Sequence, residues 1–558
     1  MSRRGRGREP SPPAGPPSAG RVRPEAVLFA LGLALRLAHL AYHRADFWLT
    51  VPLLDDSVFE SWADVIAREG WKASSLGAFD FNPAYPYFLT VFRAVLGRSQ
   101  LVLFLLQHAA GALVAPLLYK VTERAFGALG AVTSRRAAWA AGLLAAAYGP
   151  SLFFESRLLG ECWILLANVA ALWLLGEAAD ARRPWAHWGL AGAALGVSAA
   201  FRPTALAFLP VVALWSWVSL GGRRPELARA AAAFAFGLWL PLLPFQLRNR
   251  AVVPGAGWGL TTSSGGVNLY LGNNPEADGL NQAPSFVRYG PDHQYQDFAD
   301  EAGRRLGFPA SRAQVSAYWS GEARRFWKEQ PAAAARLALR KVGYFWNHKE
   351  APDNFFLEIF RRFTRLGPLP LASWGLVAPL GFAGLFWGWA GGRRTWLLYG
   401  YALTYFGVCV AFYVLSRYRF PAAAGLIPFA GLAASRLFDS LKERAWRQAA
   451  GLALLTLAGF FLSRLPLIGE EDPGTSHYSM AVVYANRGWK DQALEEYRAS
   501  VAADPSFRAS WMNMGLLLVE MQRGPEAAAA LRRAAELEPD AARAALIREN
   551  VERLEAGR

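Results

Sequence analysis

Cysteine is nearly missing: the 558 residues hold two, Cys162 and Cys409. Both lie in apolar segments without C-x-x-C or Cys/His ligand spacing, so neither a disulfide framework nor a zinc site is indicated. Charge is also scarce, Asp, Glu, Lys and Arg making up 18% of the chain. That is too little for an ordinary soluble multidomain protein or a disordered scaffold. The net charge is +16, but the basic residues fall in short clusters between long apolar runs, which points to a membrane and away from nucleic acid. What the chain has in plenty is apolar surface: 53% hydrophobic residues, with 22 Trp and 35 Phe.

Residues 1–24 are rich in Arg, Pro, Gly and Ser and read as a disordered basic tail. The leader is long and Pro-rich and no A-x-A site follows it, which argues against a cleaved signal peptide. Val27 to Tyr42 is the first apolar helix, and further apolar segments read as roughly 99–119, 137–154, 158–176, 186–201, 203–220, 228–246, 369–391, 396–415, 420–436 and 447–464. The expected architecture is an all-α polytopic membrane protein with about eleven spans. Residues 25–246 form an N-terminal transmembrane core with a first outer loop at 43–98, 247–368 a mixed outer domain, 369–464 the last spans, and 470–558 a helical tail. Lys120, Arg124, Arg135 and Arg136, then Arg182 and Arg183, Arg223, Arg224 and Arg229, Arg393 and Arg394, and finally Arg436, Lys442, Arg444 and Arg447 fill successive inner loops. The positive-inside rule then places the N-terminus in the cytoplasm and the large polar parts outside it.

Four arginines break that rule. Arg157 (FFESRLLGE), Arg202 (AAFRPTAL), and Arg417 with Arg419 (LSRYRFP) sit in tight outer connections at a membrane edge. Snorkelling helix anchors are one reading. Their gathering opposite the basic loops favours an anionic ligand at the outer face, with a lipid-linked phosphate as the natural candidate.

In the first outer loop, Ser57 and Glu60 have capping-box spacing, and Val58, Phe59, Trp62, Val65 and Ile66 make an apolar stripe that ends at Gly70. Asp55 and Asp56 therefore stand just before a helix start. They either complement the helix dipole or, held beside cations, supply a general base. Tyr85 and Tyr87, bracketed by Pro83 and Pro86, read as belt anchors or as the lining of an acceptor groove.

The long outer loop opens with GAGWGLTTSSGGVNLYLGNNPEADG, where Gly265-Gly266 and Asn273-Asn274-Pro275 predict turns and short strands. It has no strand-GxxxxGK[ST]-helix context for a phosphate loop. Ala313–Lys328 and Ala332–Trp346 read as amphipathic interfacial helices; Lys341 on the second is either solvated or within reach of a lipid phosphate. In the tail, Met480/Met514, Ala493/Ala527, Tyr497/Leu531, Ser500/Ala534 and Pro505/Pro539 recur at a period of 34, the tetratricopeptide signature, with Ala541 to Glu555 as a capping helix. Such a module docks on the outer loops or binds a protein partner.

In order along the chain, Asp55-Asp56 with Phe59, NPAYPYFL, SRLLGE, FRPTAL, LRNRAVV…TSSGGVNLYLGNNPEADG and SRYRFP resemble the polyprenyl-phosphate-dependent glycosyltransferases of the GT-C superfamily. The likeness is to bacterial relatives of protein O-mannosyltransferases and lipid A aminoarabinose transferase, over roughly residues 25–435. The resemblance implies an inner-membrane enzyme that moves a sugar from a polyprenyl-phosphate donor to an acceptor hydroxyl, with inversion. It implies Asp55 as base with Asp56 beside it, and Arg157, Arg202, Arg417, Arg419 and Lys341 around the donor phosphate. Glu161, Tyr85, Tyr87 and Asn273 would support the site. The chain departs from the family pattern in having Asp56 for a frequent Glu, Phe59 for Tyr and Glu161 for a common Asp, which leaves open the division of roles between Asp55 and Asp56. Some relatives use a divalent metal, for which Asp55, Asp56 and Glu161 are the available oxygen donors, although no spacing signature requires one. The acceptor is a glycan, a lipid or a protein.

Three other readings are open. An O-antigen-ligase-like transferase also joins many spans to tetratricopeptide repeats but would not need Asp55. A transporter would carry charges inside its spans, where only Arg36 and His39 stand out. A plain membrane anchor for the repeats gives no reason for the outer arginines.

Overall fold

The computed structural model describes residues 23–555 apart from 47–48, 50, 53–54, 80–81, 182–183, 254–263, 288–290, 352–356, 368, 470–472 and 539–540. Residues 1–22 of the basic tail, Arg182 and Arg183, Pro539 and residues 255–263 of the glycine-rich stretch therefore lie outside the described residues.

Helices dominate. Among the described residues, five are long and apolar enough to cross a membrane by length and composition: Pro24–His43, Gln100–Ala125, Glu161–Ala178, Arg224–Val252 and Ser416–Lys442. Pro184–Phe201, Arg393–Ala411 and Trp446–Ser463 are at least as long as Glu161–Ala178, while other expected segments are shorter or broken. The segment expected at 137–154 is two helices, Ala131–Ala146 and Gly149–Glu155, parted where Tyr148 makes a bridge to Ala372. The one expected at 203–220 starts with a 3-10 turn, Pro203–Phe208, before Leu209–Ser219. Phe236, Trp239 and Leu240 on Arg224–Val252 stay exposed, as lipid-facing side chains do. This is a multi-pass membrane protein.

Close packing between spans rests on small residues. Pro184–Phe201 lies along Arg224–Val252, with Gly192 and Gly196 facing the backbone of Phe234 and Leu238, and Gly237 facing Gly189. A Cβ at any of these positions would collide with main chain, so the GxxxG spacing of Gly192 and Gly196 brings the two backbones together.

The segment 247–368 corrects the expectation of a mixed fold. Its described part is helical: Gly265–Leu271, Pro291–Leu306, Arg312–Glu329, Pro331–Trp346 and Leu357–Phe363, with only a two-residue antiparallel pair at Arg365–Leu366 and Leu369–Pro370. Gly265 and Gly266 open a helix where a turn is predicted. A Cβ on Gly266 would strike the Ser316 carbonyl, so the glycine serves a close helix crossing. Val267, Leu271, Phe298, Val315 and Trp319 form the small core that results.

At the end of the chain, Pro473–Asn486, Lys490–Ala503, Arg508–Glu520, Gly524–Glu536 and Ala541–Glu555 stack in sequence, the second and fourth starting 34 residues apart. Ala493 and Ala527 are fully buried at the helix crossings. Met480, Val483 and Tyr484 of the first tail helix pack on the main core. The connection into the tail is fixed by Asn347 Nδ2 donating to Leu465 O (2.8 Å) and Lys349 Nζ to Ile468 O (3.1 Å).

Candidate functional site

One end of the helical bundle gathers six of the residues singled out from sequence. Asp55 and Asp56 occupy the first turn of Asp55–Glu69, inside the helix, so Ser57 is a helical residue and the helix begins earlier than its expected cap. Glu60 instead takes a 2.6 Å ion pair from Arg93. Arg157 lies in the turn between Gly149–Glu155 and Glu161–Ala178, where Glu161 is the first helical residue. Arg202 follows Pro184–Phe201 in extended backbone (φ −158°), and Arg417 sits on the short helix Ser416–Arg419. Carboxylates in a first helical turn are favoured by the exposed amide dipoles, so Asp55, Asp56 and Glu161 are suited to their places.

Three ion pairs join these groups. Arg417 Nη1 donates to Asp55 Oδ2 at 2.6 Å. Arg157 pairs with Asp56 and also donates to Val51 O at 2.9 Å. Arg202 pairs with Glu161 and donates to Arg417 O at 2.9 Å, which ties the third pair to the first. The ring of Tyr418 lies against both guanidinium groups, 4.8 Å from Arg202 and 5.4 Å from Arg417. The pairs differ in access: the Asp55 and Arg417 side chains are 6% and 13% exposed, those of Asp56 and Arg157 only 1% and 4%.

Lys341 and Asn273 form a second group. Lys341, expected either in solvent or within reach of a lipid phosphate, is buried, and its Nζ donates to Asn273 Oδ1 at 3.1 Å. Trp327 Nε1 donates to the same oxygen at 3.1 Å, while Asn273 Nδ2 donates to Leu269 O and Ala411 O. Burial pushes the Lys341 ammonium down to about 8. Ala411 opens the segment that runs on to Tyr413, whose ring meets that of Tyr418 edge to face at 5.4 Å, and so to the first group.

Arg419 departs from its expected place. Its Nη1 donates to the carbonyls of Tyr344, Phe345 and Asn347, and its Nη2 to Lys349 O and Glu350 Oε2. With its guanidinium also over Trp374, it is a clamp on segment 344–350. Tyr85 is no belt anchor either: it is buried and donates to Gln107 Oε1 at 2.9 Å. Tyr87 donates to Trp71 O.

Beneath the site lies a network that sequence reading missed. Gln107 Nε2 donates to Glu155 O (2.9 Å) and Arg157 O (3.0 Å), holding the turn that carries Arg157. The Glu155 carboxylate takes two bonds from Arg36 (2.7 and 2.8 Å) and one to His108 Nδ1 (2.6 Å). Arg36 inside a span is the one sequence signal of this network, because an arginine there needs a partner. Arg248 is likewise unforeseen; it donates to the carbonyls of Lys72, Ala73 and Gly77 and fixes the segment 72–77, in which Ala73 has a φ of 40°.

The carboxylates that could have served as metal ligands do not converge. Asp55, Asp56 and Glu161 each meet a different arginine, and among the described residues no group of three His, Cys, Asp or Glu is placed to hold a metal ion.

Residues 80–245 match the family of dolichyl-phosphate-mannose-protein mannosyltransferases. That region includes Arg157, Glu161 and Arg202. Among solved structures, the chain is similar to the archaeal oligosaccharyltransferase AglB from Archaeoglobus fulgidus in complex with an inhibitory peptide and a dolichol-phosphate. The identity is 15% over 84% of this chain and 59% of that one, with a TM-score of 0.43. The Archaeoglobus fulgidus oligosaccharyltransferase with Zn and sulfate gives 15% identity over 84% and 56%, TM-score 0.45. The Saccharomyces cerevisiae protein O-mannosyltransferase complex bound to the sugar donor gives 14% over 42% and 35%, TM-score 0.32. The chain thus spans less than two thirds of the length of these proteins. No match was found among the curated proteins.

Proposed function

We propose that this membrane protein, whose residues 80–245 carry the pattern of a glycosyltransferase family, moves a sugar from a polyprenyl-phosphate donor to an acceptor hydroxyl at the outer membrane face. The observation that carries this reading is the meeting of Asp55 with Arg417, beside Asp56–Arg157 and Glu161–Arg202, at one end of the bundle. Of the three carboxylates in these pairs, Asp55 is the most open, which favours it as the base, with Asp56 holding Arg157 in place.

In the proposed reaction the acceptor oxygen attacks the anomeric carbon from the face opposite the phosphate. The new C–O bond forms as the bond to the phosphate oxygen breaks, so the configuration inverts. Asp55 takes the hydroxyl proton, and Arg157, Arg202 and Arg417 stabilise charge on the departing polyprenyl phosphate. The helix pairs at the end of the chain are proposed as tetratricopeptide repeats that bind a protein partner on the same side.

Two experiments test this reading. Purified protein is offered a panel of polyprenyl-phosphate sugars with membrane extract as acceptor; consumption of one donor supports the reading and names the sugar, and consumption of none opposes it. The second uses Lys341. An ammonium near the donor phosphate acts only while protonated, and kcat/KM reports groups of the free enzyme. With Lys341 depressed to about 8 by burial, kcat/KM for the donor is expected to fall as pH rises through that value. Lys341→Arg, which stays charged, is expected to remove this alkaline decline; a decline unchanged in Lys341→Arg places Lys341 outside the donor site.

A further inference from the structure

The helices that start or end at the site also define a second site at the opposite membrane boundary. Glu161–Ala178 leaves the site at Glu161 and, at 1.5 Å per residue, ends roughly 27 Å away, close to the thickness of a bilayer core. Arg393–Ala411 runs the other way, beginning at that far boundary and ending beside Asn273. Between their far ends lies a cavity of 180 Å³.

The cavity is amphipathic. Its wall is apolar, formed by Leu172, Trp215, Leu397 and Leu398. Its rim is charged, formed by Arg124, Asp180, Arg393 and Arg394. Arg124 is occupied by Glu177 (2.7 Å) and Asp180 (2.6 Å), and Arg394 gives one bond to Asp180 (3.1 Å). Arg393 is exposed, and its only hydrogen bond to a described residue is a 3.5 Å contact with Val218 O. Three guanidinium groups thus face two carboxylates; Lys120, 5.3 Å from the Trp173 ring that lines the cavity, has its own partner in Glu25 at 3.9 Å and leaves that balance unchanged. A structural ion-pair cluster would balance its charges; this one leaves guanidinium N–H groups on the rim of an apolar slot.

We propose that this cavity binds a phosphate ester, with the anion on Arg393 and Arg394 and an apolar chain along Leu172, Trp215, Leu397 and Leu398. An anionic phospholipid has this chemistry, and basic pockets between spans are where such head groups bind. The assignment is independent of the proposed transfer reaction, since it uses none of its residues.

The test is native mass spectrometry of the full chain released from detergent in the presence of a diacyl phosphatidylglycerol or a phosphatidylcholine. A parallel arm measures thermal stability in inorganic phosphate alone. Wild type is expected to retain phosphatidylglycerol over phosphatidylcholine, with retention about five-fold weaker in Arg393→Gln and weaker again when Arg394→Gln is added. Arg223→Gln, an exposed cation at the same boundary but outside the cavity, is expected to leave retention unchanged. Stabilisation by inorganic phosphate that is lost in the double variant, without lipid preference, supports the anion cradle and assigns it a soluble phosphate. Equal retention and equal phosphate response in wild type and both variants overturns the proposal. Since Arg393 is exposed, its single variant remains a folded control if the double variant is unstable.

Discussion

Asp55→Asn is expected to lower sugar transfer by about a hundred- to ten-thousand-fold, the range for removal of a positioned general base, while the protein stays folded in the membrane. Asn keeps the shape of Asp and one oxygen that can accept from Arg417, so the 2.6 Å contact need not be lost even though its charge is. It cannot take a proton from the acceptor. Asp56→Asn and Arg202→Ala are expected to be only partly damaging, because the first leaves Asp55 in place and the second removes one of three arginines near the phosphate. The check is initial transfer rate in reconstituted membranes, with folding followed separately by thermal unfolding. Wild-type activity in Asp55→Asn would remove the assigned base.

The largest effect on stability is expected one layer deeper, at Glu155. Its carboxylate is 2% exposed, accepts twice from Arg36 and meets His108. Removing one partner of such a buried pair leaves the other charge without compensation, which costs about 3–5 kcal/mol. Glu155→Ala is therefore expected to lose that much, and the double replacement Arg36→Leu with Glu155→Leu to recover most of it, because apolar side chains of similar size remove both charges together. Unfolding of the reconstituted variants gives the comparison. A double variant as unstable as Glu155→Ala would mean that the pair holds the fold through its shape and hydrogen bonds, and that charge burial matters little. Activity adds a second readout: Gln107 ties Glu155 O to Arg157 O, so loosening this turn displaces an arginine of the site.

These two expectations show what was legible from the chain alone. Arg157, Arg202 and Arg417 stood out because each is a charge in a short connection between apolar runs, and Asp55 because it stands with Asp56 at a helix start; the structure brings all four together with Asp56 and Glu161. Which arginine serves which partner was not legible. Arg417 and Arg419 share one turn of helix, where residues two apart project in different directions; one meets Asp55 and the other Glu350. Glycines were ambiguous in the same way: Gly265-Gly266 has the composition of a turn, but Gly266 provides a close approach to Ser316. The supports were hidden for another reason. Gln107, His108 and Glu155 lie within apolar text, and only folding shows that Arg36 crosses 119 residues of sequence to reach Glu155. The helices at 312–329 and 331–346 were readable from their period, yet that period could not show that Lys341 is buried and donates to Asn273, 68 residues away.

The most direct measurement is the chemical identity and yield of the lipid product when wild type and Asp55→Asn turn over one accepted donor in the presence of acceptor. The account expects one polyprenyl monophosphate released for each sugar moved by wild type, and almost none from Asp55→Asn. Release of a polyprenyl diphosphate, or equal release by the two proteins, would contradict it.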